Sequence, residues 1–397
     1  MTNQFFKNIK QQAVRFTSLL IVGAVVSACG APINPQTLEV TRIVEVTKVV
    51  SPASINQVKP TPTNSPYANN AIEGELEFGD ILKKIKERGK VLCGVTTLAP
   101  GFAIKDDKGV WKGHDVDICK ALAAAVFGDI TKVEIKPAIG INKLRDLHNG
   151  EFDVLIRYST WTVQHTADLE VEYIIVTYYD GQGVIANKSK GFKTLADLKG
   201  KPVCVTIFTT AEWNMADKME ELGIEYNPVT FDSPKDAWSA YESGICEAYV
   251  NDKSTLATQS AAATKPADHR IMDLTIAKES LGPVVRHGDD QWFDIVKWTY
   301  YALWASEEYG VTSKTVDRVW TTSKDPETRR LLGLEGGVAE KLGVDRRWVY
   351  NMVKLVGNYQ EIWDRNLGPD TPNALPRGLH NLYINGGMQY SPPFRLN

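Results

Sequence analysis

The chain has 397 residues, of which 43% are hydrophobic and 23% are charged, and its formal net charge is −3. A chain of this length favours two lobes over a single hydrophobic core. The near-neutral charge argues against nucleic acid as a partner, and beyond the first apolar run no segment is long and apolar enough to cross a membrane. These properties indicate an ordinary globular protein.

The first 28 residues predict a lipoprotein signal peptide. Three cationic residues precede a short apolar run, Leu19 to Val26, which ends in the sequence Val-Ser-Ala-Cys at residues 26–29. The run is too short for a stable membrane anchor, and small residues before a cysteine suit a peptidase that cleaves ahead of a lipidated Cys. We expect Cys29 to carry the lipid and to hold the protein outside the cytoplasm. The alternative is a plain signal peptide with an incidental cysteine.

Residues 29–75 predict a disordered stalk. Prolines at positions 32, 35, 52, 60, 62 and 66 lie among threonine, serine and asparagine. Such a composition cannot bury a hydrophobic core. The stalk would join the lipid on Cys29 to the globular body, as a membrane attachment that needs no spanning segment.

Four cysteines remain after Cys29, and an even number in an oxidising compartment favours two disulfides. They are Cys93, Cys119, Cys204 and Cys246. Three pairings are possible, and we favour the local one, Cys93 with Cys119 and Cys204 with Cys246, because each pair lies within one predicted lobe. Buried free thiols are the alternative. A metal site is disfavoured because no two cysteines have CxxC spacing.

The first globular half alternates between strands and helices. Short apolar runs predict the strands, and the amphipathic run after the first of them predicts a helix. The predicted elements are a strand over Lys90–Val95, a helix over Asp115–Phe127, a strand over 132–137, a short helix over Lys143–His148 and a strand over Phe152–Ile156. The order is βαβαβ.

The second half repeats this order. Its predicted elements are a capping-box helix start at Thr194–Asp197, a strand over 201–207, a helix over Glu212–Leu222, a strand over 228–231, a helix over Lys235–Ser243 and a strand over Cys246–Val250. Two α/β lobes imply a cleft, and ligands bind where the carboxyl ends of parallel strands face it. Residues just after each strand are therefore the candidates for a binding site.

Several segments resemble the general L-amino-acid-binding proteins that serve ABC importers. The segments are GVWKGHDVDICKALAAAV, FDVLIRYSTWT, YYDGQG, CEAYVNDKSTLA and LGPVVRHGDDQWFDIVKWTYYAL, within a likeness that spans about residues 79–395. The resemblance implies an α/β, two-lobed type II periplasmic-binding fold, with two doubly wound sheets, two crossover strands near Tyr179–Gly183 and Glu279–Pro283, and a C-terminal helical extension from about Val311. It divides the body into lobe 1 (76–180), lobe 2 (181–280), and the return to lobe 1 with the extension (281–397).

The resemblance also implies the partners. They are a small solute, an amino acid or related amine, and the transmembrane permease subunits of an ABC importer. We expect no cofactor, no bound metal, no nucleic acid and a monomer. The run Arg286–Asp290 holds one histidine and two aspartates, but it precedes a predicted helix over Gln291–Ala305, and aspartates suit a first helical turn.

Four ligand-binding positions of that family match this sequence. Asp252 matches the carboxylate that holds the ligand ammonium, and its alternative role is a helix N-cap. Thr160 and Thr162 match positions that meet the amino and carboxyl ends of the ligand, with local turn bonding as the alternative. Phe102 matches an aromatic wall over the ligand, and a core phenylalanine is the competing interpretation.

Two matches fail, and both concern the ligand carboxylate. His165 stands where the family has the Arg that grips the carboxylate with a bidentate fork. Phe208 stands where the family has the Gly that precedes two threonines, here Thr209 and Thr210, whose backbone cradles the same group. Either His165, with Arg157 nearby, still neutralises a carboxylate, or the ligand is an amine without a standard α-carboxylate.

Two other classes remain as alternatives. Cyclohexadienyl dehydratases and lytic transglycosylases share this fold and need a carboxylate acid or base in the cleft. Glu212 is the candidate for it here, with a first-turn helix residue as its plainer interpretation. A solute sensor would have the same binding lobes. We expect a binding protein and not an enzyme.

Overall fold

The computed structural model describes residues 79–97, 99–139 and 142–396. The predicted signal peptide, the lipid site at Cys29 and the stalk up to residue 75 lie outside the described residues. No helix in the described ranges combines the length and the apolar character needed to cross a membrane.

The strands follow the predicted alternation closely. They are β1 Val91–Val95, β2 Ile104–Lys105, β3 Trp111–Lys112, β4 Val133–Pro137, β5 Val154–Thr160, β6 Val171–Tyr173, β7 Tyr178–Asn187, β8 Pro202–Thr206, β9 Asn227–Phe231, β10 Ala248–Asp252, β11 His269–Ile271 and β12 Lys278–Arg286. The last predicted strand, Cys246–Val250, is displaced toward the C-terminus, so that Asp252 is the last residue of β10 and pairs with Gln182 of β7.

The helices lie between the strands and then follow them in a run at the C-terminal end. They are α1 Asp80–Arg88, α2 His114–Phe127, α3 Lys143–His148, α4 Val163–Leu169, α5 Thr210–Glu221, α6 Pro234–Glu242, α7 Lys253–Ala261, α8 Asp290–Glu308, α9 Val316–Thr322, α10 Pro326–Leu331, α11 Val338–Leu342, α12 Trp348–Leu355 and α13 Tyr359–Asn366. The capping box at Thr194 is present, but it opens a single 3₁₀ turn, Leu195–Leu198, and not an α-helix.

Two crossing strands join the sheets of the two lobes. In lobe 1, β1 pairs in parallel with β4 and β5, and in lobe 2, β8 pairs in parallel with β9 and β10. β7 pairs with β12 over its first four residues and then with β10, so that it runs from one sheet into the other. The return strand β12 has a bulge between Gly282 and Val284, where a Cβ on Gly282 would lie 2.1 Å from the carbonyl oxygen of Ile175. Glycine allows this close approach.

Each lobe has its own core and its own disulfide. The largest apolar cluster of lobe 1 joins α2 and β1 to the C-terminal helices, so these helices pack on lobe 1. Lobe 2 buries residues from β7, β8, β10 and α5. The structure contains the favoured local pairing, Cys93 with Cys119 in lobe 1 and Cys204 with Cys246 in lobe 2. Neither bond crosses between the lobes.

Candidate functional site

A cavity of about 420 Å³ lies where the carboxyl ends of the parallel strands of both lobes meet. Residues at or just after the ends of β1, β5, β8, β9 and β10 line it, as expected for an open α/β sheet. The lining residues used below are Lys143, Arg157, Thr160 and His165 from lobe 1, and Phe208, Thr209, Thr210, Asp232 and Asp252 from lobe 2. The structure thus brings together seven of the nine predicted ligand-binding residues.

Asp252 contributes a carboxylate from lobe 2. It occupies the N-cap position of α7, yet its side chain makes no capping hydrogen bond. Burial raises the pKa of this carboxyl well above its usual range, and the nearby Glu279 and Asp180 raise it further. An acid held this way gains a counter-charge when a cation enters the cavity, because an adjacent positive charge stabilises its ionised form.

A buried polar network connects the lobes beneath the cavity. The Nε2 of Gln182 donates to Glu279 over 2.6 Å and to the hydroxyl of Thr210 over 3.0 Å. The hydroxyls of Thr160 in lobe 1 and Thr210 in lobe 2 lie 3.4 Å apart. Burial raises the pKa of Glu279, although hydrogen bonds from Thr160, Thr210 and Gln182 oppose that rise. The floor of the cleft is therefore polar and tied to both crossing strands.

Three basic side chains face the cavity from lobe 1. Arg157 comes from β5, His165 from the first turn of α4 and Lys143 from the start of α3. The sequence indicated the first two but missed Lys143, which begins a short helix without any motif. The available signal was position: α3 follows strand β4, and residues after strands were the expected ligand contacts.

The ring of His165 is held by its backbone surroundings. Its Nδ1 lies 3.0 Å from the carbonyl oxygen of Thr160, and the hydroxyl of Tyr173 donates to the same oxygen over 2.7 Å. Burial lowers the pKa of His165 and the Thr160 carbonyl partly opposes this, while the charge of Lys143 lowers the pKa further. His165 therefore lines the cavity with its Nδ1 bound to the backbone, and without an adjacent anion the ring favours the neutral form.

The lobe 2 wall contains a strained residue. Phe208 has φ +57°, in the left-handed region that suits glycine, and its side chain is 55% exposed. The Phe208 N–H donates to the carboxylate of Glu212 over 2.7 Å, and the Thr209 hydroxyl accepts from the Glu212 N–H over 3.2 Å. Glu212 thus closes the first turn of α5 and does not line the cavity, contrary to what an acid catalyst in the cleft would require.

Phe102 and Thr162 require corrections. Phe102 is 1% exposed and lies edge-on to the ring of Tyr178, with centroids 5.4 Å apart, so it is a core residue and not a wall of the cavity. Thr162 is the N-cap of α4, where its hydroxyl accepts from the His165 N–H over 3.1 Å. It positions the helix that carries His165 and does not line the cavity.

The acidic run before α8 also has a structural role. The carboxylate of Asp289 accepts from the N–H groups of Trp292 over 3.0 Å and of Ile81 over 2.6 Å. It caps α8 and ties the start of α1 to it. Among the described residues, no group of three His, Cys, Asp or Glu side chains could hold a metal ion.

Two α/β lobes whose strands follow one path, β4-β1-β5-β12-β7-β10-β8-β9, and which enclose a charged cleft define the type II periplasmic-binding fold. Residues 91–315 match the model of the bacterial extracellular solute-binding proteins, family 3. The chain belongs to this family.

Curated relatives and a solved structure resemble nearly the whole described body. The chain is 44% identical to the general L-amino acid-binding periplasmic protein AapJ of Rhizobium johnstonii, over 82% of this chain and 96% of that one. It is 42% identical to the glutamate/glutamine/aspartate/asparagine-binding protein BztA of Rhodobacter capsulatus, over 79% of this chain and 93% of the relative. A periplasmic binding protein from Brucella ovis, solved with glutathione bound, matches with a TM-score of 0.77 and 43% identity, over 80% of this chain and 99% of that chain.

Proposed function

We propose that this protein binds an L-amino acid between its lobes and delivers it to the permease of an ABC importer. The observation that carries the proposal is the division of charge in one cavity. Asp252 belongs to lobe 2, whereas Arg157, Lys143 and His165 belong to lobe 1. A zwitterion can place its ammonium on Asp252 and its α-carboxylate on Arg157 and His165, and so stabilise the arrangement in which the lobes are together.

An amine without a carboxylate fits this cavity less well. It would satisfy Asp252, but it would bring a second positive charge close to the permanently charged Arg157 and would supply no anion to Arg157, Lys143 or His165. The names of AapJ and BztA, as amino-acid-binding proteins, point the same way. We therefore favour the amino acid over the amine-only ligand.

We also propose that Cys29 carries a lipid and that residues 29–75 form the tether, so that lobes 76–180, 181–280 and the return 281–397 work next to the membrane. The support is the small-residue pattern before Cys29 and the proline-rich composition after it. Replacing Cys29 with Ser should release the protein from the membrane fraction. Retention of the Cys29→Ser protein would rule out the lipid tether.

Native mass spectrometry of the purified protein tests the binding function, since a ligand held in the cleft would co-purify with the protein. The expected result is a co-purified amino acid or small peptide, displaced by added L-amino acid and bound in calorimetry. A diamine such as putrescine serves as the contrasting probe. Binding of putrescine without binding of any L-amino acid would contradict the proposal.

A further inference from the structure

Lys143 is a basic residue that a single amino-acid zwitterion leaves without a role. It is half-buried at the start of α3 and lines the same cavity as Arg157, His165 and Asp252. Burial lowers its pKa to about 7, and the charge of Arg157 contributes to this, whereas Asp252 acts in the opposite direction. An amine with this pKa is only partly charged at neutral pH, and it becomes fully charged only if an anion in the cavity stabilises its charged form.

The charges that surround Lys143 come from three elements. Arg157 on β5 and His165 on α4 are basic, and Asp252 at the end of β10 is acidic. Asp232, which follows β9, also lines the cavity but is exposed. Asp252 is the acid whose charge raises the pKa of Lys143, and the proposed function assigns Asp252 to the ligand ammonium.

A bound zwitterion supplies one ammonium and one carboxylate, which do not provide a partner for every charged side chain in the cavity. The ligand ammonium uses Asp252, and the α-carboxylate uses the permanent charge of Arg157, supported by His165. Lys143 then has to share the negative charge of Asp252 with the ligand ammonium. A second carboxylate on the ligand would restore a partner to Lys143, and it would do so inside a cavity where opposite charges interact more strongly than in water.

We infer that the ligand carries two acidic groups besides its ammonium, and that Lys143 is the residue that selects the second one. This inference rests on the proposed function and narrows it to acidic amino acids or to small peptides with two carboxylates. L-glutamate and glutathione are the two probes that separate these sources. L-glutamine is the matched neutral probe, because it has the shape of glutamate without the second charge.

Binding of the second carboxylate should be linked to protonation of Lys143. Above pH 7 the amine is mostly uncharged in the empty cleft, and an adjacent carboxylate raises its pKa, so the complex takes up a proton. At about pH 8, the protein should therefore take up more protons when it binds glutamate than when it binds glutamine. Any proton released from Asp252 is common to both ligands, because both carry the same ammonium.

Calorimetry in two buffers with different ionisation enthalpies measures affinity and proton uptake together. The proteins are the wild type, Lys143→Met, and Lys132→Met as the matched control, since Lys132 is an exposed lysine of the same lobe outside the cavity. The wild type and the control should bind glutamate or glutathione at least about tenfold tighter than glutamine at pH 7. Lys143→Met should lower the affinity for the acidic ligand at least about 30-fold and abolish the extra proton uptake. Its affinity for glutamine should stay within about threefold of the wild-type value.

The outcomes separate the two proposals. Equal affinity for glutamate and glutamine in the wild type, or a preference that survives Lys143→Met, would overturn the inference and leave amino-acid binding intact. Binding of glutathione without glutamate, lost in Lys143→Met, would support the inference and identify the peptide as the source. Failure to bind any of the three probes, with retained binding of putrescine, would overturn both.

Discussion

The imidazole Nε2 of His380 accepts a hydrogen bond from the backbone N–H of Tyr179 over 3.0 Å. Tyr179 lies in the crossing strand β7, whereas His380 lies in the C-terminal segment. The other ring nitrogen, Nδ1, donates to the carbonyl of Arg377 over 2.8 Å. The Gln389 side chain adds a second attachment by donating to the carbonyl of Thr177 over 3.0 Å. The extension thus holds the point at which the chain leaves lobe 1.

Replacing His380 with Phe keeps a ring in this position but removes the acceptor for Tyr179. The partly buried N–H of Tyr179 is then unpaired, which should lower the free energy of unfolding by about 1–3 kcal/mol at pH 7.5. Urea denaturation measures this change. Unchanged stability at pH 7.5 would show that the extension does not hold the strand through His380.

The same bond should make the wild type sensitive to acid. Burial lowers the pKa of His380 to about 4, below its ordinary value of 6.5, so the unfolded chain binds more protons between these values. The contribution of neutral His380 to the free energy of unfolding is complete above pH 6.5 and falls as the pH approaches 4. At pH 5 it is smaller by about 2 kcal/mol. The stability gap between the wild type and His380→Phe should therefore narrow at pH 5. A gap that widens at pH 5 would contradict this assignment.

Asp252→Asn should weaken ligand binding and stabilise the fold. The variant removes the charge that holds the ligand ammonium, which should cost about 2–5 kcal/mol in binding. It also removes a half-buried carboxylate whose ionised form is disfavoured by the charges of Glu279 and Asp180. Because the folded pKa is raised, this carboxylate destabilises the fold increasingly as the pH rises from the unfolded value of 3.8.

The stability gain of Asp252→Asn should therefore be larger at pH 7.5 than at pH 5, by chemical denaturation. Asp232→Asn is the matched control, since Asp232 lines the same cavity but is exposed. Asp232→Asn should change neither the free energy of ligand binding nor the free energy of unfolding by more than about 0.5 kcal/mol. Equal affinity of the Asp252→Asn protein and the wild type would mean that the ammonium binds elsewhere.

Removing the ring of Phe102 should lower the stability of the fold, whereas removing the ring of Phe208 should leave it nearly unchanged. Phe102→Ala opens a cavity in the core and should lower the free energy of unfolding by about 3–5 kcal/mol. Phe208→Gly loses the contacts of a half-exposed ring, but it also relieves the strain of a side chain on a left-handed backbone. These opposing effects should leave the free energy of unfolding within about 1 kcal/mol of the wild type. Its affinity should change, because Phe208 lines the cavity. Thermal denaturation and calorimetry measure both, and a large stability loss in Phe208→Gly would contradict the assignment.

The fold could be predicted from the sequence because its signals are local or repeated. Alternating apolar runs marked the strands, and α3 has the predicted bounds, Lys143–His148. The capping box at Thr194 opened only a 3₁₀ turn, since the chain leaves the helical conformation at Lys199, where ψ is 123°, just before Gly200 at φ +66°. Capping chemistry fixes where a helix begins but not how far it continues.

The site was predicted less completely, because side-chain direction depends on packing. Phe102 and Phe208 both follow a strand, and nothing local distinguishes the core ring from the exposed one. Lys143 stands at the start of a helix that the sequence places correctly, yet only the meeting of β4, β5 and β10 around one cavity makes it a neighbour of Arg157 and Asp252. Such a relationship between distant segments carries no motif.

His165→Gln and His165→Arg test whether the histidine supplies charge to the α-carboxylate. The neutral ring donates its Nδ1 proton to the Thr160 carbonyl, which leaves Nε2 unable to donate until a second proton binds. Burial lowers the pKa of the ring in the empty protein, and a bound carboxylate raises it. Affinity should therefore fall as the pH rises through the pKa of the empty protein and level off above that of the complex.

L-glutamine is the suitable ligand, because its only acidic group is the α-carboxylate, and Lys143→Met is the suitable background, because Lys143 would otherwise titrate in the same direction. Ionisation of Asp252 strengthens binding of the ligand ammonium as the pH rises, which is opposite to the effect of His165. Only the difference between the variants therefore reports the effect of His165. Calorimetry between about pH 5.5 and 8.5 should show weaker acid-side binding in His165→Gln, whereas His165→Arg should bind more tightly at pH 8.5 and flatten the profile. If all three proteins follow one profile, the α-carboxylate is held by Arg157 without help from His165.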